Sequence, residues 1–394
     1  MTLKLGSLRT GLRFASKLVP RDGNAAAVNV AYHMSETSFL YPITPSTPMG
    51  ELYDTWATKG ERNVWGHVPT VRVLQSEGGA AGAIHGAASV GALTTTFTAS
   101  QGLLLMLPDM LKSAGELWPI VFHVAARAVS TQALSIHGDH SDIMLVRNTG
   151  FAFLSSQNVQ ECQDQAAIAH MSAVDGEIPF VHFFEGFRLS HTIDSIVPLS
   201  VNEMKQLMPF EKMDQIRKRA LNSSHPMILG HSQGPDAYFQ TVERGNSYYN
   251  NLPKIVKANM EKFRKLTGRS YKLFEYYGDK TAEDVIVVMG AAAPVVKEAI
   301  DLMIPRGEKV GVLVPHLYRP WSMEDFVEGL PKTVKRISVL DRSKDPAAPA
   351  EPLFMDVAFT VKQRNLPIRV VGGRYGLANR EFNPEHAKAV FDNM

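Results

Sequence analysis

The sequence predicts an α/β protein of two domains in which parallel sheets are covered by helices. The chain of 394 residues exceeds the size that one hydrophobic core usually serves. Short apolar or β-branched runs alternate with helical patterns over residues 22–184 and again over 284–371, which is typical of a parallel sheet. Residues 200–280 are polar and interrupt the alternation. We therefore predict a first domain over 21–270, including this long connection, and a second over 271–394.

In the first domain, strands are predicted from β-branched and apolar runs at 39–43, 71–75, 94–99, 120–126, 151–155 and 179–184. Helices are predicted between them at 24–34, 47–58, 77–90, 101–114 and 159–173. Ser46 or Thr47 has the residue type of an N-cap for the second of these helices. Further helical pieces are expected within the connection, at 204–207 and 251–266.

The second domain is predicted to contain four or five parallel strands, with runs at 284–289, 309–314, 336–341 and 368–371. Pro294 opens a helix over 294–303, where the missing N–H of proline has no intrahelical partner in any case. Ser322 and Asp325 have the spacing of a capping box at the start of another helix.

The composition is that of an ordinary soluble globular protein, with 45% hydrophobic and 20% charged residues. The net charge is only +2, and the sequence does not indicate the concentrated basic face that a nucleic-acid surface needs. The sequence contains no apolar run long enough to predict a membrane span. Its single cysteine, Cys162, excludes an internal disulfide and an iron–sulfur cluster built from this chain alone. We expect Cys162 to be a buried small side chain or a thiol on a helix surface.

The first twenty residues contain four basic residues and no acidic one. The apolar residues of this segment can share one helical face, with the basic residues on the other side, as in an organellar transit peptide. We therefore predict a targeting segment over 1–20 and a location in the mitochondrial matrix or a mitochondrion-related organelle. A disordered basic tail or an ordered N-terminal arm would have the same composition.

Three residues are candidate site residues because of their positions at the ends of predicted strands or at the start of a predicted helix. Glu77 opens the Gly/Ala-rich helix, Thr44 lies between two prolines after a strand, and Arg127 follows another buried strand. The carboxyl ends of parallel strands are where α/β sheets place ligands. A hydroxyl and a guanidinium there suit a carbonyl and a carboxylate, respectively. The structural alternatives are a glutamate favoured by the helix dipole, a turn threonine and an arginine in a salt bridge.

Two other patterns resemble binding motifs less closely. The glycines of residues 78–86 match neither a dinucleotide-binding nor a P-loop pattern, so close backbone packing, for example at a subunit interface, is the better interpretation. His137, Asp139, His140 and Asp142 have the residue types of a metal site. Their segment is short and contains glycine, and we interpret it as a hydrogen-bonded turn near the active site rather than as a metal site.

Several runs together resemble the pyruvate:ferredoxin (flavodoxin) oxidoreductase family. The most specific are YPITPS at 41–46, QSE at 75–77, TTTFTASQG at 94–102, HVAARA at 123–128, GDHSD at 138–142 and LYRP at 317–320. The resemblance covers the chain from Asp22 to its end. It implies a pyrimidine-type thiamine diphosphate-binding domain followed by a transketolase C-terminal-like domain. It also implies that Glu77 binds the cofactor pyrimidine as a catalytic residue, and that Thr44 and Arg127 bind the carbonyl and carboxylate of a 2-oxoacid.

The family reaction requires groups that these 394 residues do not contain. The sequence has no Gly-Asp-Gly…Asn segment for magnesium and diphosphate, and no cysteine clusters. We therefore expect a second polypeptide to carry diphosphate binding, magnesium and the iron–sulfur clusters, in a dimeric assembly whose active site is shared. The alternative is a catalytically inactive pseudoenzyme that serves as a structural subunit of a larger mitochondrial assembly. Departures from the family pattern at 290–294, at His316 and near 347–350 leave a ligand role for the second domain in doubt.

Overall fold

A computed structural model describes residues 18–394. The predicted targeting segment lies outside this range except for its last three residues. The strands are β1 (Val19–Arg21), β2 (Thr37–Leu40), β3 (Thr70–Val73), β4 (Thr94–Thr98), β5 (Val121–Ala126), β6 (Ala152–Ser155), β7 (Phe180–Glu185), β8 (Asp194–Ile196), β9 (Phe274–Gly278), β10 (Asp284–Val288), β11 (Val310–Pro315), β12 (Leu317–Arg319), β13 (Arg336–Asp341) and β14 (Arg369–Arg374).

The helices alternate with these strands as the sequence predicts. They are α1 (Gly23–His33), α2 (Thr47–Thr58), α3 (Glu77–Ser89), α4 (Ser100–Leu105), α5 (Leu107–Gly115), α6 (Ser141–Val146), α7 (Val159–Gly176), α8 (Val201–Leu207), α9 (Phe210–Lys218), α10 (Pro235–Arg244), α11 (Asn246–Thr267), α12 (Ala292–Met303), α13 (Met323–Gly329), α14 (Pro352–Gln363) and α15 (Pro384–Asp392).

The first sheet has seven strands in the order β12-β6-β7-β5-β4-β2-β3, and all neighbours except β12 and β6 are parallel. Every residue of β4, β5 and β7 is buried, as expected when helices cover both faces of a parallel sheet. Helix α7 is also almost wholly buried, and its Cys162 is 0% exposed. Burial raises the pKa of the Cys162 thiol well above its ordinary value, so it is a buried small side chain.

The second sheet has the order β14-β13-β10-β11-β9. Four of its strands are parallel, and β9 is antiparallel to β11. Each sheet thus adds one antiparallel edge strand to the predicted parallel arrangement. The sequence did not reveal β12, which has only three residues, or β9, in which only Phe274 is buried. It also did not reveal the two-stranded ribbon of β1 and β8.

The two sheets are not independent in space. Strand β12 follows β11 of the second sheet directly but pairs with β6 of the first. The connection between the sheets contains α8 to α11, and α11 packs on α7 through Leu252, Val256, Met260 and Phe263. In contrast, α10 has no buried residue. Among the described helices, none is long and apolar enough to cross a membrane.

Candidate functional site

Thr44 and Arg127 meet at the carboxyl edge of the first sheet. Thr44 is in the loop after β2, and Arg127 is the first residue after β5. The Arg127 Nη1 group donates a hydrogen bond of 2.8 Å to the Thr44 carbonyl oxygen. The Thr44 side chain is exposed, and its hydroxyl makes no hydrogen bond to the described residues. This contact joins the Arg127 guanidinium to the backbone of Thr44, so the two residues that the resemblance relates to a 2-oxoacid are neighbours.

Arg127 is nearly buried, with 7% of its surface exposed. Burial lowers the pKa of its guanidinium, and the negative charge of Asp142 partly opposes this effect. The Nε group donates to the Ser135 carbonyl at 3.3 Å, so the planar head is held on two sides. A guanidinium has five N–H groups, and the remaining ones are free to bind a second oxygen-bearing group.

Asp142 is a further residue of this site, for which the sequence suggested only a metal or a turn. Its Oδ2 atom accepts hydrogen bonds from the backbone N–H groups of Ser100 at 2.7 Å and Arg127 at 3.0 Å. Burial raises the pKa of Asp142 to about 7, against the effect of three backbone N–H donors that favour its charged form. Ser100 has a left-handed φ of 51°, a strained conformation that such contacts must maintain. Asp142 therefore joins the ends of β4 and β5.

Glu77 is the first residue of α3, whose N-cap Ser76 accepts a hydrogen bond from the Gly79 backbone N–H. The Glu77 side chain is 6% exposed. Its carboxylate makes no hydrogen bond or ion pair to any described residue, although buried carboxylates normally have partners. This is the main reason to regard it as a binding group rather than as a helix-stabilising residue.

The surroundings of the Glu77 carboxylate suit an aminopyrimidine ring. A Cβ atom at Gly102 in α4 would lie 2.7 Å from Glu77 Oε1 and 2.8 Å from Thr98 Oγ1. Only glycine, which has no Cβ, allows the helix to pack this closely against the two oxygens. The Thr98 hydroxyl is buried and has no hydrogen-bond partner among the described residues. A carboxylate and a hydroxyl without such partners can bind donor and acceptor atoms on the edge of a heterocycle.

The three predicted residues lie at the same edge of one sheet, but only two of them touch. Glu77 makes no hydrogen bond to Thr44 or Arg127. It follows β3, whereas Thr44 follows the adjacent β2 and Arg127 follows β5. Strand β4 lies between β5 and β2, so the contact from Arg127 to Thr44 spans the end of β4.

The side chains of residues 137–142 do not converge as metal ligands do. Asp139 accepts hydrogen bonds from the Ser141 and Ala378 backbone N–H groups, and His140 Nε2 lies 3.0 Å from Glu185 Oε1. The segment is a hydrogen-bonded turn that connects the site to the second sheet. Its backbone also contacts Arg342 and Asn379.

Glu185 lies at the junction of the two sheets and is 0% exposed. The single backbone N–H of Ala291 donates to both carboxylate oxygens, each 3.0 Å from the nitrogen. Arg342 Nη1 lies 3.3 Å from Glu185 Oε1. Burial raises the pKa of Glu185, but His140 and Arg342 outweigh burial and hold it below its ordinary value. Gly290 has a φ of 73°, and a Cβ there would lie 2.1 Å from Glu185 Oε1. The unusual glycine–alanine turn at 290–294 therefore receives a carboxylate from within the chain.

One described cluster has the residue types of a metal site: Glu161, Glu275 and His316. His316 Nδ1 is 2.7 Å from the Lys272 carbonyl oxygen, and Nε2 is 3.1 Å from Glu161 Oε2. Burial lowers the pKa of His316, but these acidic and carbonyl partners outweigh burial and raise it. Lys297 Nζ also lies 3.0 Å from Glu275. These cations already occupy the carboxylates, so the cluster is an ion-pair network.

Three buried histidines form a row inside the first sheet. His123 Nδ1 is 3.0 Å from His182 Nδ1, and His123 Nε2 is 3.2 Å from His170 Nε2. Ser156 donates to the Glu161 carbonyl and therefore accepts from His182 Nε2. Each neutral ring then donates in one direction, which leaves His170 Nδ1 as an acceptor without a described partner. Burial lowers the pKa of His170 to about 3 and, with His170 nearby, that of His182 also to about 3.

Two protein-family models match the chain. Residues 29–261 match the pyruvate flavodoxin/ferredoxin oxidoreductase, thiamine diphosphate-binding domain. Residues 282–387 match the pyruvate:ferredoxin oxidoreductase core domain II.

Curated relatives agree with these models. The pyruvate:ferredoxin oxidoreductase of Moorella thermoacetica is 53% identical over 95% of this chain and 32% of its own length. The mitochondrial pyruvate dehydrogenase [NADP(+)] of Euglena gracilis is 51% identical over 95% of this chain and 21% of its own length. The chain thus spans about a third or less of these relatives.

Solved structures show the same fold at low identity. The 2-oxoglutarate:ferredoxin oxidoreductase of Magnetococcus marinus matches 96% of this chain and 65% of its own with a TM-score of 0.70 at 19% identity. A split-gene transketolase in an inactive beta4 tetramer matches with a TM-score of 0.53 at 10% identity over 94% of this chain and 95% of its own. These likenesses support the α/β architecture. Together with the family models, the findings show that the chain belongs to the pyruvate:ferredoxin (flavodoxin) oxidoreductase family and contains part of its thiamine diphosphate-dependent machinery.

Proposed function

We propose that this chain supplies the pyrimidine-binding half of the active site in a thiamine diphosphate-dependent 2-oxoacid oxidoreductase, with pyruvate as the expected substrate. The observation that carries the proposal is the carboxylate of Glu77, a residue that is only 6% exposed, which has no hydrogen-bond partner among the described residues and packs closely against Gly102. When bound, thiamine diphosphate supplies a carbon nucleophile for the carbonyl of a 2-oxoacid.

Each candidate residue then has a separate task. The Glu77 carboxylate holds a proton at a ring nitrogen of the pyrimidine, in a site that excludes most water. The free N–H groups of Arg127 bind the substrate carboxylate, and the Thr44 hydroxyl donates to the carbonyl oxygen. Asp142 is a positioning residue, because it holds the backbone of Arg127 and of Ser100.

The surface beside Glu77 suits a partner polypeptide that completes the site. Gly82 and Gly86 of α3 are exposed, and a Cβ at either would contact nothing within 4 Å. Val73 is 63% exposed and Leu105 is 57% exposed near the same helix end. A smooth helix face with apolar neighbours allows close backbone approach. We propose that the partner carries the magnesium–diphosphate site and the iron–sulfur clusters, and that the assembly is dimeric and located in the mitochondrial matrix or a related organelle.

The decisive experiment is gentle purification of the native assembly, followed by identification of its stoichiometric chains. A partner with a magnesium–diphosphate motif and cysteine clusters would support the proposal. Glu77→Gln should then abolish most 2-oxoacid-dependent electron transfer by that assembly, whereas Glu298→Gln, at an exposed helix position, should not. Equal activity in the two variants would refute the role of Glu77.

The shared site also predicts the behaviour of the isolated chain. Calorimetry with the isolated chain should detect no tight binding of thiamine diphosphate. The isolated chain should also show no turnover of pyruvate. Micromolar binding by the chain alone would contradict a site shared with a partner.

The second candidate function is that of a structural subunit without catalysis in a larger mitochondrial assembly. The turn at 290–294 favours it, because this turn binds Glu185 rather than leaving its N–H groups open to a ligand. A large native complex without an iron–sulfur partner would support this candidate, and such a partner would argue against it.

A further inference from the structure

A cavity lies at the carboxyl edge of the second sheet, and its lining does not include Glu77, Thr44 or Arg127. It has a volume of about 70 Å³, enough for a small anion. Three arginines line it: Arg188, Arg342 and Arg380. Arg188 belongs to the loop after β7 of the first sheet, whereas Arg342 and Arg380 follow β13 and β14 of the second.

The position of the cavity in the sheet favours a ligand. From β10 the chain continues to β11 on one side, whereas β13 lies on the other side of β10. The loops after β10 and β13 therefore diverge, and Ala291 and Arg342 from these loops line the cavity. Crevices of this kind, at the carboxyl ends of diverging strands, are where open α/β sheets bind ligands.

The side chains that line the cavity carry a net positive charge, and the described residues do not supply enough acidic partners to neutralise it. Neither Arg188 nor Arg380 forms an ion pair or a side-chain hydrogen bond in residues 18–394, and both are exposed. Arg342 is 4% exposed; its Nε and Nη2 groups donate to Gly376 and Asn379, and its Nη1 group forms an ion pair with Glu185. Two of its five N–H groups remain for a ligand. Glu185 neutralises one positive charge at most and leaves two guanidiniums unpaired.

We propose that this cavity is a phosphate-binding site of the chain. Three guanidiniums from separate loops match the charge and the oxygen geometry of a phosphate group. The aromatic rings of Tyr375 and Phe382, 4.9 Å apart, form one wall. The turn before α12 adds little, since the Ala291 N–H is bound to Glu185. A phosphate held by Arg188 and Arg380 would contact loops that follow strands of both sheets.

The test uses the purified chain and inorganic phosphate, with chloride at equal ionic strength as the reference. Calorimetry should show saturable binding with a dissociation constant of about 1 mM or lower. The double variant Arg188→Gln/Arg380→Gln should weaken binding by about ten-fold or more, since it removes two charge-assisted contacts. Both arginines are exposed, so this variant should fold.

The matched control is Arg306→Gln/Arg364→Gln, which removes the same charge elsewhere in the second domain. Both of these arginines are exposed and form no ion pair with the described residues. It should leave phosphate affinity within about two-fold, since screened charges at a distance contribute little. Absence of binding up to about 10 mM phosphate, or equal weakening in both double variants, would overturn the proposal.

A comparison of AMP with inorganic phosphate identifies the source of the phosphate group. Tighter binding of AMP that Phe382→Ala removes would support the site and assign it to a nucleotide. Equal binding of the two would support the site and assign it to free phosphate or a small phosphate ester.

Discussion

Gly102 is the residue through which the structure makes its sharpest prediction. Replacement Gly102→Ala would place a Cβ 2.7 Å from Glu77 Oε1, 2.9 Å from Glu77 Cγ and 2.8 Å from Thr98 Oγ1. Real Cβ atoms do not approach other atoms so closely. Thr98 belongs to a fully buried strand and has little freedom, so the Glu77 side chain must move. The substitution therefore displaces the carboxylate on which the proposed function depends.

The effect on stability has two parts. Alanine in a helix is favoured over glycine by about 0.5–1 kcal/mol. Overpacking in a buried site costs about 1–3 kcal/mol. Gly82→Ala in α3 should gain the helix preference of alanine without the cost of overpacking, because a Cβ at Gly82 would contact nothing within 4 Å. The free energies of unfolding of the two variants should differ by about 1–3 kcal/mol. This corresponds to about 2–10 °C in melting temperature for domains of this size.

Thermal unfolding of the purified chain, followed by circular dichroism, measures this difference. Gly82→Ala should melt at or above the temperature of the unmodified chain, and Gly102→Ala below it. In the assembled enzyme Gly102→Ala should also lower 2-oxoacid-dependent electron transfer. If Gly102→Ala were as stable as Gly82→Ala and fully active, the close approach of Gly102 to Glu77 would not exist as described.

Three further predictions concern buried polar groups. Gly290→Ala should lower the melting temperature far more than Gly307→Ala, because both have positive φ but only Gly290 faces Glu185; similar shifts would argue against the buried contact. His170 has its pKa lowered to about 3, so its contribution to stability is present above about pH 6.5 and is lost as the pH falls toward 3. His170→Phe should therefore reduce the loss of unfolding free energy between pH 6.5 and 4, by up to about 1.4 kcal/mol per pH unit, and an unchanged slope in urea titrations would contradict this. Asp142→Asn should cost about 1–3 kcal/mol, because the amide turns a donor toward backbone N–H groups, and urea unfolding with no loss would show that these bonds are dispensable.

Much of the fold follows from local patterns in the sequence. The period of apolar residues and the small-residue turns predict helices α1, α2, α3 and α7 and the central strands within a few residues, because buried parallel strands need continuous apolar runs. Strand β9, which buries only Phe274, and the three-residue β12 were not predicted. The domain boundary at residue 270 remains a prediction, and β12 crosses between the two sheets.

Glu77, Thr44 and Arg127 could be proposed from the sequence, because residue type and position at the end of a strand are local properties, and their roles remain predictions. It also indicated the family, because the motifs are contiguous. Only the tertiary structure revealed that Arg127 binds the Thr44 carbonyl, that Asp142 joins two strand ends, and that Gly102 packs closely against Glu77. It also placed Arg188 from the first sheet beside Arg342 and Arg380 from the second. Such contacts join residues far apart in the chain, and the distances between them depend on how the sheets pack, which no local pattern specifies.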